Sequence, residues 1–135
     1  MSTKENKALI RHMYDLMNRG ELDGYYELLS PNYVEHMTSG NMLLEQLKQF
    51  ETIFGTAFSD ISVAIVEMVA EGDKVSVLVT WKMTHTGEYM GIAPTGKKID
   101  MTNANVFKIA KGRIKEGWNV MDMRFLQQLG AIPKQ

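Results

Sequence analysis

From Lys4 onward, apolar residues return every three or four positions (Leu9, Met13, Leu16, Met17), which is the spacing of an amphipathic helix. Ser2 and Thr3 are its candidate N-caps, although Thr3 with Asn6 does not complete a capping box. Gly20 is placed to end it. A second, short helix is expected over 21–29, with Leu22, Tyr25, Leu28 and Leu29 turned inward. Pro31 stops it, because proline disfavours helical geometry at the residue before it. Tyr33-Val34-Glu35-His36-Met37 reads as a short extended piece. Ser39-Gly40-Asn41 then opens a third helix carrying Met42, Leu43, Leu47, Phe50, Ile53 and Phe54 at helical spacing, closed by Gly55.

The period then changes from about 3.6 to 2. Ile61, Val63 and Ile65 alternate with polar or small residues, so 61–70 is a strand. Gly72-Asp73 centres a hairpin turn. Val75, Val77, Val79, Trp81 and Met83 follow as the inward face of a long strand ending near His85. Gly91, Pro94 and Gly96 mark 88–96 as a loop. Strands over 97–109 and 113–121 are joined by a tight turn at Ala110-Lys111-Gly112. Asp122 stands where an N-cap would, ahead of a last helix with Phe125, Leu126 and Leu129, and Gly130 and Pro133 end the chain. Helices followed by a strongly curved antiparallel sheet and a closing helix make an α+β fold, read as one domain over 1–135.

Composition narrows the function classes. At 135 residues the chain can bury a sizeable core. A net charge of −1 with dispersed Lys and Arg gives no footprint for nucleic acid. The lack of a run of ~18 apolar residues argues against a membrane span. The polar MSTKENK start has no apolar signal region, which fits a cytoplasmic protein. There is no cysteine, so disulfides, thiolate metal sites and cysteine nucleophiles are excluded. Eleven methionines serve either as core filler or as an adaptable wall around an apolar ligand. No nucleophile elbow, P-loop, dinucleotide fingerprint or H-E-x-x-H is present.

The order of elements, the stretch THTGEYMGIAPTGKKI (84–99) and the ending KGRIKEGWNVMDMRFLQQLGAIP (111–133) resemble the SnoaL-like polyketide cyclases of the NTF2-like superfamily. The resemblance covers nearly the whole chain. It implies a cone-shaped curved sheet wrapped around the N-terminal helices, a deep apolar cavity, and frequent dimerisation through the outer sheet face. It also implies chemistry without a cofactor: ring closure by intramolecular aldol condensation in some members, isomerisation, hydrolysis, dehydration or plain binding in others. The family's acid/base Asp on the last strand and its assisting His on the preceding one correspond here to Asn119 and Asn105. Neither can titrate.

Asn103, Asn105 and Asn119 fall on adjacent strand faces. They are either amide donors that orient a carbonyl or hydroxyl ligand, or a self-satisfied buried network. The titratable candidates are Asp122, His36 and His85. Asp122 is either an acid whose pKa is raised by an apolar setting or the cap of the last helix. Each histidine is either a proton-transfer group or a core residue, and the resemblance puts both near the cavity or its mouth. A His36–His85 metal pair finds no third ligand at suitable spacing, so no metal is expected. Tyr14, Met17, Trp81, Phe107 and Met121 are expected to join the three asparagines as the ligand-binding wall. Trp118 alternates out of phase with Asn119. With Ile114 and Val120 it forms an outer apolar patch that predicts a homodimer. The sequence thus points to a protein that binds, and on one reading converts, an apolar carbonyl-bearing small molecule. The alternatives are a non-catalytic small-molecule binder or a dimeric interaction protein.

Overall fold

The computed structural model describes residues Ser2–Gly130; Pro133, read above as part of the chain's end, lies outside them. Helix α1 (Thr3–Asn18) starts one residue earlier than its apolar stripe suggests. Ser2 is the cap: its hydroxyl accepts the Glu5 N–H at 3.1 Å, and the Glu5 carboxylate accepts the Ser2 N–H at 3.0 Å. The reciprocal box therefore runs from Ser2 to Glu5. Ile10, Met13, Tyr14 and Leu16 are the buried face of α1. Gly20, at φ +71°, carries the chain out of it.

After α2 (Leu22–Glu27) the chain turns directly into β1 (Leu29–Met37). Pro31 sits in that strand, where pairing with the last strand shifts register between Leu29 and Val34. A proline is tolerated there because no ladder bond is needed from its nitrogen. Residues 40–43, expected to begin the third helix, form instead a short strand β2 (Gly40–Leu43) paired with β1. Helix α3 (Leu44–Ala57) then begins where Gln46 accepts the Leu43 N–H at 2.9 Å, and it runs through Gly55 rather than stopping there.

Strands β3 (Phe58–Glu71), β4 (Lys74–His85), β5 (Lys98–Ala110) and β6 (Arg113–Met121) follow, and a short helix α4 (Phe125–Gln128) closes the described chain. The six strands form one curved, unclosed sheet in the order β2-β1-β6-β5-β4-β3. Every neighbouring pair is antiparallel except β1–β6, which is parallel. The β5–β6 turn has positive φ at both Lys111 and Gly112, the twist that a two-residue hairpin needs.

Inward residues alternate strictly along β5 (Ile99, Met101, Asn103, Asn105, Phe107, Ile109). They do not along β6. There Lys108 faces Glu116 while Ile109 faces Ile114, so one extra residue bulges the strand. The bulge turns Ile114 into the core, where it is 0% exposed. The expected outer patch therefore loses Ile114 and keeps Trp118 and Val120. Apolar burial divides into two clusters. One joins α1 and α2 to the sheet through Ile10, Tyr14, Tyr33, Val79 and Ile114. The other packs α4 and the 86–97 loop through Phe58, Tyr89, Ile99 and Phe125.

Candidate active site

A cavity of about 400 Å³ opens between the two apolar clusters. Its walls include Tyr14 and Met17 of α1, Trp81 of β4, Asn103, Asn105 and Phe107 of β5, and Asn119 and Met121 of β6. These are the eight residues that the sequence assigned to a ligand wall. The amides gather because Asn105 is the register partner of Asn119, and Asn103 lies two residues along the same face of β5. The Asn103 Oδ1 accepts the Asp122 N–H at 3.3 Å. The Asn119 Oδ1 is buried without a partner among the described residues. Such an atom loses its water on folding and gains nothing in return unless a ligand meets it.

The three titratable candidates lie elsewhere. His36 is on the opposite face of β1, stacked on Trp118 at a centroid distance of 4.9 Å. Its Nε2 lies 2.5 Å from Glu116 and its Nδ1 3.0 Å from Asn41. His85 is fully buried beside Phe58. Its Nδ1 accepts the Thr95 N–H at 3.2 Å, which pins the 86–97 loop. The Asp122 carboxylate is engaged by the Arg124 guanidinium at 2.6–3.0 Å and by the Arg124 N–H at 3.1 Å. Those hydrogen bonds hold its pKa below the ordinary carboxylate value, not above it. It does not cap α4 either, whose N-cap is Arg124. None of the three lines the cavity.

Three carboxyls line the cavity, Glu35, Glu51 and Asp60, and the sequence reading passed over the two glutamates, whose pKa values are shifted. Glu35 extends from β1 into the site and is 8% exposed. Its Oε1 accepts a hydrogen bond from the Tyr33 hydroxyl at 2.7 Å, and among the described residues its Oε2 has no partner. Burial raises the Glu35 pKa, and the Tyr33 hydrogen bond opposes that rise. Glu51, on α3, accepts the Tyr25 hydroxyl at 3.0 Å and the Tyr26 hydroxyl at 2.8 Å. Desolvation pushes it up to about 7, against those two hydrogen bonds and with a further contribution from the charge of Glu35. The hydroxyls of Tyr25, Tyr26 and Tyr33 are held well above their ordinary range, first by burial and then by the carboxylates, so they stay protonated and donate.

No Lys, Arg or His is among the lining residues. Desolvation with no cation in the lining raises both glutamate carboxyls, with only His36, on the far face of β1, as a charge opposing it at Glu35, and it keeps Glu51 half-protonated near neutral pH. Among the described residues no cluster of three or more His, Asp or Glu is placed to hold a metal ion. No helix among them is long and apolar enough to cross a membrane.

The sequence contained signals for both glutamates. With Tyr33 inward, a period of 2 puts Glu35 inward and His36 outward. Leu47, Glu51 and Phe54 lie four and three residues apart, so Glu51 interrupts the apolar stripe of α3.

Comparison with known proteins fits this geometry. Residues 7–129 match the sequence model of the SnoaL-like polyketide cyclases. Among solved structures, AclR of Streptomyces galilaeus, a proposed hydroxylase, superposes with a TM-score of 0.93 at 30% identity, over 98% of this chain and 100% of that one. IdmH of Streptomyces antibioticus, a proposed polyketide cyclase, gives 0.82 at 26% identity, over 94% and 99%. TsrD of Streptomyces laurentii, at 22% identity and a TM-score of 0.84 over 98% and 99%, shares the fold. No curated protein matches the chain.

Proposed function

We propose that this chain, which belongs to the SnoaL-like polyketide cyclase family, binds an apolar carbonyl-bearing small molecule in the cavity and moves a proton at the carbon beside the carbonyl. The family does not choose the reaction, since its structural relatives carry different proposed activities. The observation that carries the proposal is the pair of tyrosine-bonded carboxyls, buried Glu35 and half-buried Glu51, in a cavity lined by no cation.

One carboxyl that is ionised and one that keeps its proton provide a base and an acid at one pH. Glu35 has an Oε2 without a partner among the described residues, so it is the base. Its carboxylate takes the proton from the α-carbon, and the C–H electron pair becomes the enolate. Glu51, half-protonated near pH 7 and joined to the lining hydroxyl of Tyr25, returns a proton to the enolate oxygen. The enol then adds through its α-carbon to a second carbonyl of the same molecule, closing a ring, while its O–H proton returns to Glu51 and Glu35 gives the abstracted proton to the new alkoxide; or Glu35 gives that proton to a different carbon and the O–H proton returns to Glu51, giving an isomer. Asn103, Asn105 and Asn119 orient the remote end of the ligand, and the unpartnered Asn119 amide atom supplies a waiting contact.

A simple enolisable ketone such as 2-tetralone tests this. The protein should accelerate deuterium exchange at its α-carbon, read by NMR. Glu35→Gln should abolish the acceleration while changing affinity by less than about tenfold, or ~1.4 kcal/mol. If the wild type gives no acceleration, the chain is a binder and not a catalyst; acceleration that survives both Glu35→Gln and Glu51→Gln removes the two glutamates from the mechanism.

The same proposal places the protein in the cytoplasm as a homodimer. What supports the dimer is the outer sheet face, where a shallow groove runs past Met68, Leu78, Val106, Trp118 and Val120.

A further inference from the structure

Gly117 sits in the middle of β6, opposite Glu35 on one side and Phe107 on the other, and is buried. Its φ is not in the left-handed region, so its backbone conformation is open to any residue. Glycine inside a strand weakens it by adding unfolded-state freedom and removing a packing surface. A glycine there needs another cause, and the space around it gives one. A Cβ built on Gly117 would overlap the Tyr33 hydroxyl outright, and would lie 2.6 Å from the Glu35 Oε1 and 3.2 Å from Phe107. The hydroxyl and the carboxyl occupy the volume that a side chain would fill.

We infer that Gly117 is a positioning residue: its missing side chain is the seat in which the Tyr33 hydroxyl meets Glu35 and holds that carboxylate ready as a base. The catalytic part of this statement rests on the function proposed above; the seat itself does not. Tyr33 cannot simply retreat, because it is 2% exposed and its ring is packed in the core beneath α1 and α2. Any side chain at 117 must therefore separate the hydroxyl from the Oε1. Glu35 then loses the one hydrogen bond that opposes its desolvation, is left with His36 as the only opposing influence and with the Glu51 carboxyl sensing its charge, and holds its proton to higher pH. A base that is protonated at neutral pH has stopped being a base.

The experiment is a carbon-13 NMR titration of the Glu35 carboxyl in four proteins: wild type, Gly117→Ala, Tyr33→Phe and the double variant. Glu35→Gln assigns the resonance. Gly117→Ala should move the midpoint upward by at least half a pH unit, and the acid limb of α-deuterium exchange should move with it. Tyr33→Phe should shift the midpoint the same way. In the Tyr33→Phe background, where the closest overlap is gone and only the Glu35 Oε1, the end of a flexible side chain, must give way, adding Gly117→Ala should shift it little further. That double variant also has more room to fold if Gly117→Ala alone does not; a fold restored by Tyr33→Phe supports the seat. An unmoved midpoint in Gly117→Ala, or the same added shift with and without the Tyr33 hydroxyl, overturns the inference. A shifted midpoint with no exchange activity in any variant, wild type included, leaves the seat standing and removes the proposed function.

Discussion

Glu51 stores an electrostatic cost that a pH titration of stability can expose. Its carboxyl titrates at about 7 in the folded protein, against an ordinary value of 4.5. Between those values the folded chain keeps a proton that the unfolded chain has released. Stability from this group is therefore full below about pH 4.5 and drains away as the pH rises through 7. The shift corresponds to an upper bound on the order of 3 kcal/mol. Glu51→Gln keeps an acceptor for the tyrosines and cannot ionise. It is expected to equal wild type in stability near pH 4.5 and to exceed it by about 2 kcal/mol at pH 8, as urea unfolding would measure. An advantage that is constant across the range would show that Glu51 ionises freely in the fold.

The wall of the site was readable because strand alternation is strict along β5, whereas its chemistry was hidden by residue type. Histidine and a strand-end aspartate draw attention as titrating groups at neutral pH. A glutamate in an ordinary run such as Tyr33-Val34-Glu35-His36 has its pKa raised only when its surroundings desolvate it.

At the scale of elements, Asn18 does more than end α1. Its amide nitrogen donates to the Val63 carbonyl at 2.8 Å, and its Oδ1 accepts the Val63 N–H at 2.8 Å. β3 is an edge of the sheet, and these two bonds cover backbone groups that no seventh strand pairs. They also fix the helix whose Tyr14 and Met17 line the cavity. Asn18→Ala leaves both Val63 groups unsatisfied beside a buried side chain. The expected loss is about 2–3 kcal/mol, measured by chemical unfolding, with faster amide exchange at Val63. A loss under about 0.5 kcal/mol would mean that water replaces the amide freely.

The periodic parts of the elements were legible, and their junctions less so. Residues 40–43 have apolar spacing compatible with a helix, yet they pair with β1 because that strand offers an open ladder. Nothing local in Arg113-Ile114-Lys115-Glu116 announces the bulge that turns Ile114 inward. It arises from pairing with β5, a partner that periodicity within one strand does not see.

At the scale of the whole molecule, the two faces of the sheet have different surroundings. The concave face is covered by helices and holds the cavity; among the described residues the outer face has no covering element. On it Val69 and Val120 are 59% and 57% exposed, and Trp118 lies flat against His36. Lys82, Lys108, Glu67 and Glu116 stand at the margins of this apolar strip on β3–β6. An apolar centre with charges kept to the rim is the anatomy of a protein interface. A second copy of the chain brings the same strip, and a near-neutral net charge of −1 offers little repulsion between copies. Sedimentation equilibrium should therefore give twice the chain mass at micromolar concentration. Trp118→Lys, which puts a charge in the middle of the strip, should return it to one chain mass with the far-ultraviolet spectrum unchanged. Because the Trp118 and Asn119 side chains point to opposite faces, the same variant should leave ligand affinity in the cavity within about twofold if the two faces are independent. A larger fall in affinity that tracks dissociation would show that the dimer holds β6 in the register on which Glu35, Gly117 and Asn119 depend. A wild-type protein that sediments as a single chain would remove the homodimer from the proposal altogether.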